Sequence, residues 1–302
     1  MPKTFSILIC ALNEEKNIGS LLQGIEAQEY DSAFQGNFVL EDIMVISDGS
    51  TDRTAEIVRS FSATNPRIKL VVNERRIGKI FSLGKGFKLV NSDYLILFDA
   101  DVLVEKNTIS NLLASFLTED YLLVGGNPIP CKPSGILTIA EQSSSFSWLL
   151  LQEIKKRSPD SIYSAHGRIL CLAKKLYKSV DIDALSTPGD DQYLYLKSNH
   201  KFKYEPSAVV YYKMPLMVAD YLKQNTRFRR AQSIRSVSLG SNVMRGEFRI
   251  EHKASIFLKL FVSHPYKASC WLALYLTGYF QFTFAKSGLS ALETWGEVRS
   301  TK

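Results

Sequence analysis

Tyr94-Leu95-Ile96-Leu97-Phe98-Asp99-Ala100-Asp101 is the stretch whose reading decides the fold. Its apolar and aromatic run reads as a buried strand, and it stops abruptly at two carboxylates one residue apart. Desolvating carboxylates is costly, so a buried strand that ends this way needs a cation beside it. A hard divalent ion shared with the phosphates of a substrate would serve. Two aspartates that cap the next helix or face water would also fit.

The flanking chain repeats the pattern. Thr4 to Ala11 reads as a strand with Asn13-Glu14 at its carboxyl end, followed by a helix with Ile18, Leu21, Leu22 and Ile25 on one face. Asp42 to Ser47 reads as a strand ending in Asp48-Gly49-Ser50-Thr51-Asp52, and Ser50 or Thr51 can cap the helix that follows. Ile68 to Val72 is a third strand, with Arg75-Arg76-Ile77-Gly78-Lys79 opening a helix to about Val90. Glu105 to Leu117 reads as helix and Tyr121 to Val124 as strand. Four alternations of strand and helix predict an α/β fold with a mostly parallel sheet flanked by helices. Ligands of such sheets bind at strand carboxyl ends, where Asn13-Glu14, Asp48 and Asp99-Asp101 all fall.

Further on, Ser134 to Lys156 reads as a helix weakened by Ser143-Ser144-Ser145, and His166-Gly167-Arg168 sits in a short strand-like segment. His166 reads as a packed or acceptor-loop residue, since no second histidine lies near it. Pro188-Gly189-Asp190-Asp191 reads as a turn opening a helix, Phe202 to Tyr212 as strand, and Leu216 to Ser238 as a basic helix. The uncharged run Ala268 to Ala285 makes a helix of roughly 27 Å, short of the ~30 Å hydrocarbon core. It reads as an interfacial or re-entrant membrane helix, a spanning helix or a buried core helix. Pro265 interrupts any helix continuing from Ile256 to Val262.

The 302 residues carry a net charge of +7, which suits phosphorylated substrates or an anionic membrane surface. No helix-turn-helix, zinc-finger or RNP pattern supports a nucleic-acid partner. The cysteines, Cys10, Cys131, Cys171 and Cys270, are scattered, without metal or disulfide spacing, and their usage fits a reducing compartment. Met1-Pro2-Lys3-Thr4 leads directly into a strand, and no signal peptide is expected.

Taken in order from Phe5 to Arg230, these motifs resemble glycosyltransferase family 2 enzymes of the GT-A fold, including cellulose-synthase-like and ceramide-glucosyltransferase-like members. The resemblance implies a catalytic domain over residues 1–215, with a donor half 1–126 and an acceptor half 127–215. It is followed by a C-terminal helical, membrane-associating region over 216–302 whose apolar segment is 256–285. It implies that Asn13, Glu14 and Asp48 meet the nucleotide and that Arg76 and Lys79 approach nucleotide and phosphates. Asp99 and Asp101 would hold Mg²⁺ or Mn²⁺ on the diphosphate. Asp190 and Asp191 would form the catalytic pair, Asp191 being the base; Asp190 stands where the family often has Glu. Gln224-Asn225-Thr226-Arg227-Phe228 matches the family's QxxRW motif with Phe for Trp, so Gln224 and Arg227 join the site and the stacking role is weakened.

The implied reaction transfers a sugar with inversion from a nucleotide-diphosphate sugar, most simply a UDP-sugar, to a lipid-linked or glycan acceptor at the cytoplasmic face of a membrane. The chemistry needs charge stabilisation on the departing diphosphate, a carboxylate to take the acceptor proton and alignment of both substrates. A nucleotidyltransferase making sugar nucleotides is one rival. It would show a glycine-rich loop after the first strand, where this chain has no glycine until Gly19. A dinucleotide-binding dehydrogenase fails similarly, since Gly84-Lys85-Gly86 lies in a helix pattern without a third glycine. A non-catalytic membrane-bound scaffold is the rival outside enzymology, and both carboxylate pairs argue against it.

Overall fold

A computed structural model of the chain describes residues 1–30, 32–133, 135–181, 189–238 and 253–284. Its elements, in order, are β1 (Lys3–Ala11), α1 (Ile18–Glu26), α2 (Ser32–Asn37), β2 (Phe38–Asp48), α3 (Thr54–Thr64), β3 (Ile68–Asn73), α4 (Lys79–Leu89), β4 (Tyr94–Asp99) and β5 (Val102–Val104). Then follow α5 (Thr108–Ala114), running into a 3₁₀ turn at Ser115–Leu117, β6 (Leu123–Pro130), α6 (Ile139–Arg157), β7 (Ile169–Ala173), α7 (Lys174–Tyr177), α8 (Asp190–Lys197) and β8 (Phe202–Tyr212). The last helices are α9 (Val218–Ser238), α10 (Lys253–Ser263) and α11 (Pro265–Phe284). Of the expected boundaries, Ser134, Pro188 and Ala285 lie outside the described residues.

The chain divides into two compact units. The first comprises Met1–Pro128, Ser164–Ser186 and Asp190–Tyr212; the second comprises Ile129–Tyr163, Thr187–Gly189 and Lys213–Lys302. The sheet has strand order β3-β2-β1-β4-β7-β6-β8-β5. The run β3-β2-β1-β4 is parallel, as the alternating pattern requires. The expectation of a mostly parallel sheet needs correcting beyond β4, where β7 pairs antiparallel with both β4 and β6, and β5 antiparallel with β8. Antiparallel neighbours need no crossover helix, so the strands and helices that alternate in this half do not impose parallel pairing.

The core of the first unit joins Phe5, Ile7 and Ile9 of β1, Ile43 and Val45 of β2, and Ile96 and Phe98 of β4 to Ile18, Leu21, Leu22 and Ile25 of α1. Burying each such side chain stabilises the fold by about 1.5–3 kcal/mol. On the other face, α4 lies so close to β1 that a Cβ at Gly86 would overlap the Leu8 side chain. This contact, rather than a nucleotide-binding loop, accounts for Gly86 inside a helix.

In the second unit, Phe146 of α6, Ile256 and Leu260 of α10, and Ala268 of α11 share a small core edged by Trp271. The start of α6 is later than the apolar pattern alone indicates, because Thr138 and Glu141 form a capping box. Pro265 occupies the first turn of α11, directly after α10 ends at Ser263. Helix α11 is buried at Ala268, Cys270 and Leu274, while Tyr266, Tyr279 and Phe280 remain 63%, 49% and 55% exposed. Among the described residues no helix is long and apolar enough to cross a membrane. All four cysteines are free thiols.

Candidate functional site

Strand register sets the site. Cys10 pairs with Asp99, Ala11 with Ser47, and Asp48 with Asn73. The carboxyl ends of the parallel strands therefore form one row. Because β7 runs the other way, its amino end joins the same edge, with Phe98 opposite Ile169.

Asp48 is fully buried. Its Oδ1 accepts hydrogen bonds from Asn73 Nδ2 at 2.9 Å, the Ile77 N–H at 3.0 Å and Ser82 Oγ at 3.0 Å. Its Oδ2 accepts from the Gly78 N–H at 2.8 Å. The carboxylate expected to meet a base thus anchors the loop that carries Arg76 to Lys79. Gly49, with φ +68°, makes the turn beneath that loop, where a Cβ would collide with the backbone of Arg75 and Arg76. Arg76 is half-buried within it.

Asn13, at φ 53°, accepts the Thr51 N–H on Oδ1 at 2.8 Å and donates its own N–H to Ser50 Oγ at 3.1 Å. Glu14 is buried, its N–H donating to Thr54 Oγ1 at 2.7 Å and its Oε2 accepting from Asn17 at 2.9 Å. These bonds tie the loop after β1 to the loop after β2.

Lys79, at the first turn of α4, bridges two carboxylates. Its Nζ lies 2.6 Å from Asp99 Oδ1 and 3.4 Å from Asp190 Oδ2. Burial pulls the lysine pKa down, but Asp190 and Asp99 outweigh it and the net shift is upward. Asp101 is pushed up by burial and by the Asp99 charge, with Arg168 pulling the other way. Two carboxylates that crowd each other, one already holding an ammonium, are hard-oxygen donors that suit a divalent cation. Among the described residues no group of three or more His, Cys, Asp or Glu could hold a metal. A metal on Asp99 and Asp101 would therefore draw its other ligands from substrate phosphates and water, as Mg²⁺ commonly does.

Asp191 opens α8 beside Asp190. Its Oδ2 accepts the Gly167 N–H at 3.2 Å and its Oδ1 accepts the Gln192 N–H at 2.8 Å. The Arg168 carbonyl accepts the Asp99 N–H at 3.2 Å. His166-Gly167-Arg168 thus touches both carboxylate pairs, although the sequence reading singled out only His166, as a packed or acceptor-loop residue. The available signal was a polar triplet abutting the apolar run Ile169 to Leu172, the mirror image of the strand-end carboxylates. Gln224 and Arg227 lie on α9 in the second unit, and the Arg227 guanidinium stands 5.6 Å from the ring centroid of Phe228, which is 53% exposed.

The family model of glycosyl transferase family 2 matches residues 6–173. The poly-beta-1,6-N-acetyl-D-glucosamine synthase of Staphylococcus aureus (strain COL) is 24% identical over 227 residues, covering 74% of this chain and 53% of its own length. The synthase of that name from Staphylococcus epidermidis is 25% identical over the same extent. The chain thus spans about half the length of the curated relatives it matches. Among solved structures, the mannosyltransferase PcManGT from Pyrobaculum calidifontis, in complex with GDP-Man and Mn²⁺, superposes with a TM-score of 0.58 at 15% identity, over 95% of this chain and 89% of that one. S. aureus TarS 1–349 in complex with UDP gives 0.51 at 15% identity, over 96% and 93%. At these identities the likeness to solved structures is one of fold.

Proposed function

We propose, from the premise that this chain belongs to glycosyl transferase family 2, that it moves a sugar from a nucleotide diphosphate to an acceptor hydroxyl with inversion of configuration. The observation that carries the reading is Lys79 bridging Asp99 and Asp190, since it joins the expected metal pair to the helix bearing the expected base. The donor is a UDP-sugar; UDP accompanies TarS, and GDP-Man the mannosyltransferase. The acceptor is a growing or lipid-linked glycan, in keeping with the polysaccharide synthases among the relatives. Exposed Leu258, Val262, Tyr266 and Phe280 support seating of the second unit at a membrane surface, where aromatic and apolar side chains enter the headgroup boundary.

In this reading Asn13, Glu14 and the loop anchored by Asp48 form the nucleotide side. Lys79 and Arg76 neutralise the departing diphosphate. A divalent ion bound by Asp99 and Asp101 would add Lewis-acid stabilisation there. Asp191, oriented by two backbone N–H groups, removes the acceptor proton as the hydroxyl attacks the anomeric carbon from the face opposite the diphosphate. Asp190 contacts Lys79 and fixes the start of α8.

Isothermal titration tests the donor half. UDP binding is expected to strengthen with Mn²⁺ and to lose that dependence, with affinity falling about tenfold or more, in Asp101→Ala. Metal-independent binding that the substitution leaves unchanged would remove Asp101 from the metal site.

A further inference from the structure

We propose that Arg168 is a phosphate-binding residue of this site, a role that rests on the transfer reaction proposed above. Its place between the two carboxylate pairs is fixed by backbone. The Arg168 carbonyl is bonded to Asp99, and the preceding Gly167 N–H to Asp191.

The guanidinium is held without being neutralised. It lies 3.9 Å from the ring centroid of Tyr212, and its Nη1 contacts His166 Nε2 at 3.1 Å. An arginine can only donate, so the imidazole nitrogen is the acceptor in that contact. Among the described residues Arg168 forms no ion pair, and its buried Nε has no hydrogen-bond partner. A desolvated donor left unpaired is costly, and a half-buried cation oriented by aromatic groups is prepared for an oxyanion. The planar fork suits two oxygens of a single phosphate. The phosphates this reaction brings to the edge are the donor diphosphate and any phosphate carried by the acceptor.

The charge predicts opposite signs for two ligands. A cation near Asp101 opposes binding of a free metal ion and favours an anion. A residue that merely supported the fold would weaken both when altered.

The full chain, Arg168→Met and Arg168→Lys are titrated with Mn²⁺ alone, with UDP plus Mn²⁺, with uridine, and with inorganic phosphate at saturating UDP and Mn²⁺. Arg168→Met is expected to weaken UDP about tenfold or more in the presence of Mn²⁺, to bind Mn²⁺ alone at least as tightly as wild type, and to leave uridine unchanged. Arg168→Lys keeps the charge without the fork and falls between, and it carries the test if the methionine variant fails to fold. A loss confined to inorganic phosphate also supports the proposal and assigns the group to the acceptor. The proposal is overturned if folded variants bind both anions within about twofold of wild type, or if Mn²⁺ and UDP weaken together. A wild-type chain that binds no UDP at all counts against the reaction itself.

Discussion

Two lysines, one half-buried and one buried, show how differently the two units handle charge. Lys79 in the sheet unit sits between Asp99 and Asp190, and its pKa rises despite burial. Lys155 on α6 in the helical unit is only 3% exposed, and burial pushes it down to about 8. The sheet unit sets its enclosed charges against one another at strand ends, so that a ligand can take over either partner. In the helical unit burial governs the lysine's titration, and aromatic surface stays exposed on α11. The first arrangement is suited to chemistry and the second to placement.

The largest effect expected from this contrast is on turnover. Asp191→Asn keeps the hydrogen-bonding outline of the side chain but cannot take a proton. Transfer should fall by about 10²–10⁴ while UDP affinity stays at the wild-type value. Transfer at the wild-type rate would mean that the base lies elsewhere.

Lys79→Met comes next, because it leaves Asp99 and Asp190 without the ammonium they share. Removing one partner of a buried pair costs about 3–5 kcal/mol. With 21% and 29% exposure at Lys79 and Asp99, solvent screening brings the expected loss nearer 2 kcal/mol, read from urea unfolding at pH 7. Because the folded-state pKa is raised, this stabilisation is complete below the ordinary lysine pKa of about 10.4 and is lost as pH rises through the folded value. A variant as stable as wild type would erase the contrast between the two lysines.

The smallest effect has the opposite sign. Lys155→Met should stabilise the protein by about 1–2 kcal/mol at neutral pH, because the folded state no longer accommodates a buried ammonium. With a folded pKa near 8 against about 10.4 unfolded, the unfolded chain binds more protons across that interval. Wild-type stability therefore rises with pH there, and the advantage of methionine fades by about pH 10. Unfolding curves at pH 7 and pH 10 separate this outcome from a simple gain in packing.

The parallel half of the sheet was readable because each strand and its helix write their periods next to each other, as Thr4 to Ile25 does. The antiparallel half was not. β5 is three residues long, and the pairing of Phe98 with Ile169 joins segments that local pattern cannot connect. The same limit applied to the site. Carboxylates at strand ends announce themselves by breaking an apolar run, so Asp99, Asp101 and Asp48 stood out. What Asp48 holds did not, since Asn73, Ile77, Gly78 and Ser82 come from the next strand, loop and helix. Lys79 and Asp190 were each singled out, but their meeting is long-range, and Arg168 becomes conspicuous only when its ring contacts are seen together with its lack of an ion pair among the described residues.

The contact between Gly86 and Leu8 also bears on how this enzyme can vary. With no side chain at position 86, α4 seats directly on the Leu8 side chain of β1, and Lys79 is borne about 10 Å along it. A single methyl group at position 86 would overlap the Leu8 side chain, so that either Leu8 or the helix that bears Lys79 must shift, with every residue of the edge unaltered. A variant library restricted to the visible site would miss this control point. New donor preferences are more readily acquired by exchanging loops around a stationary α4 than by retuning the helix itself.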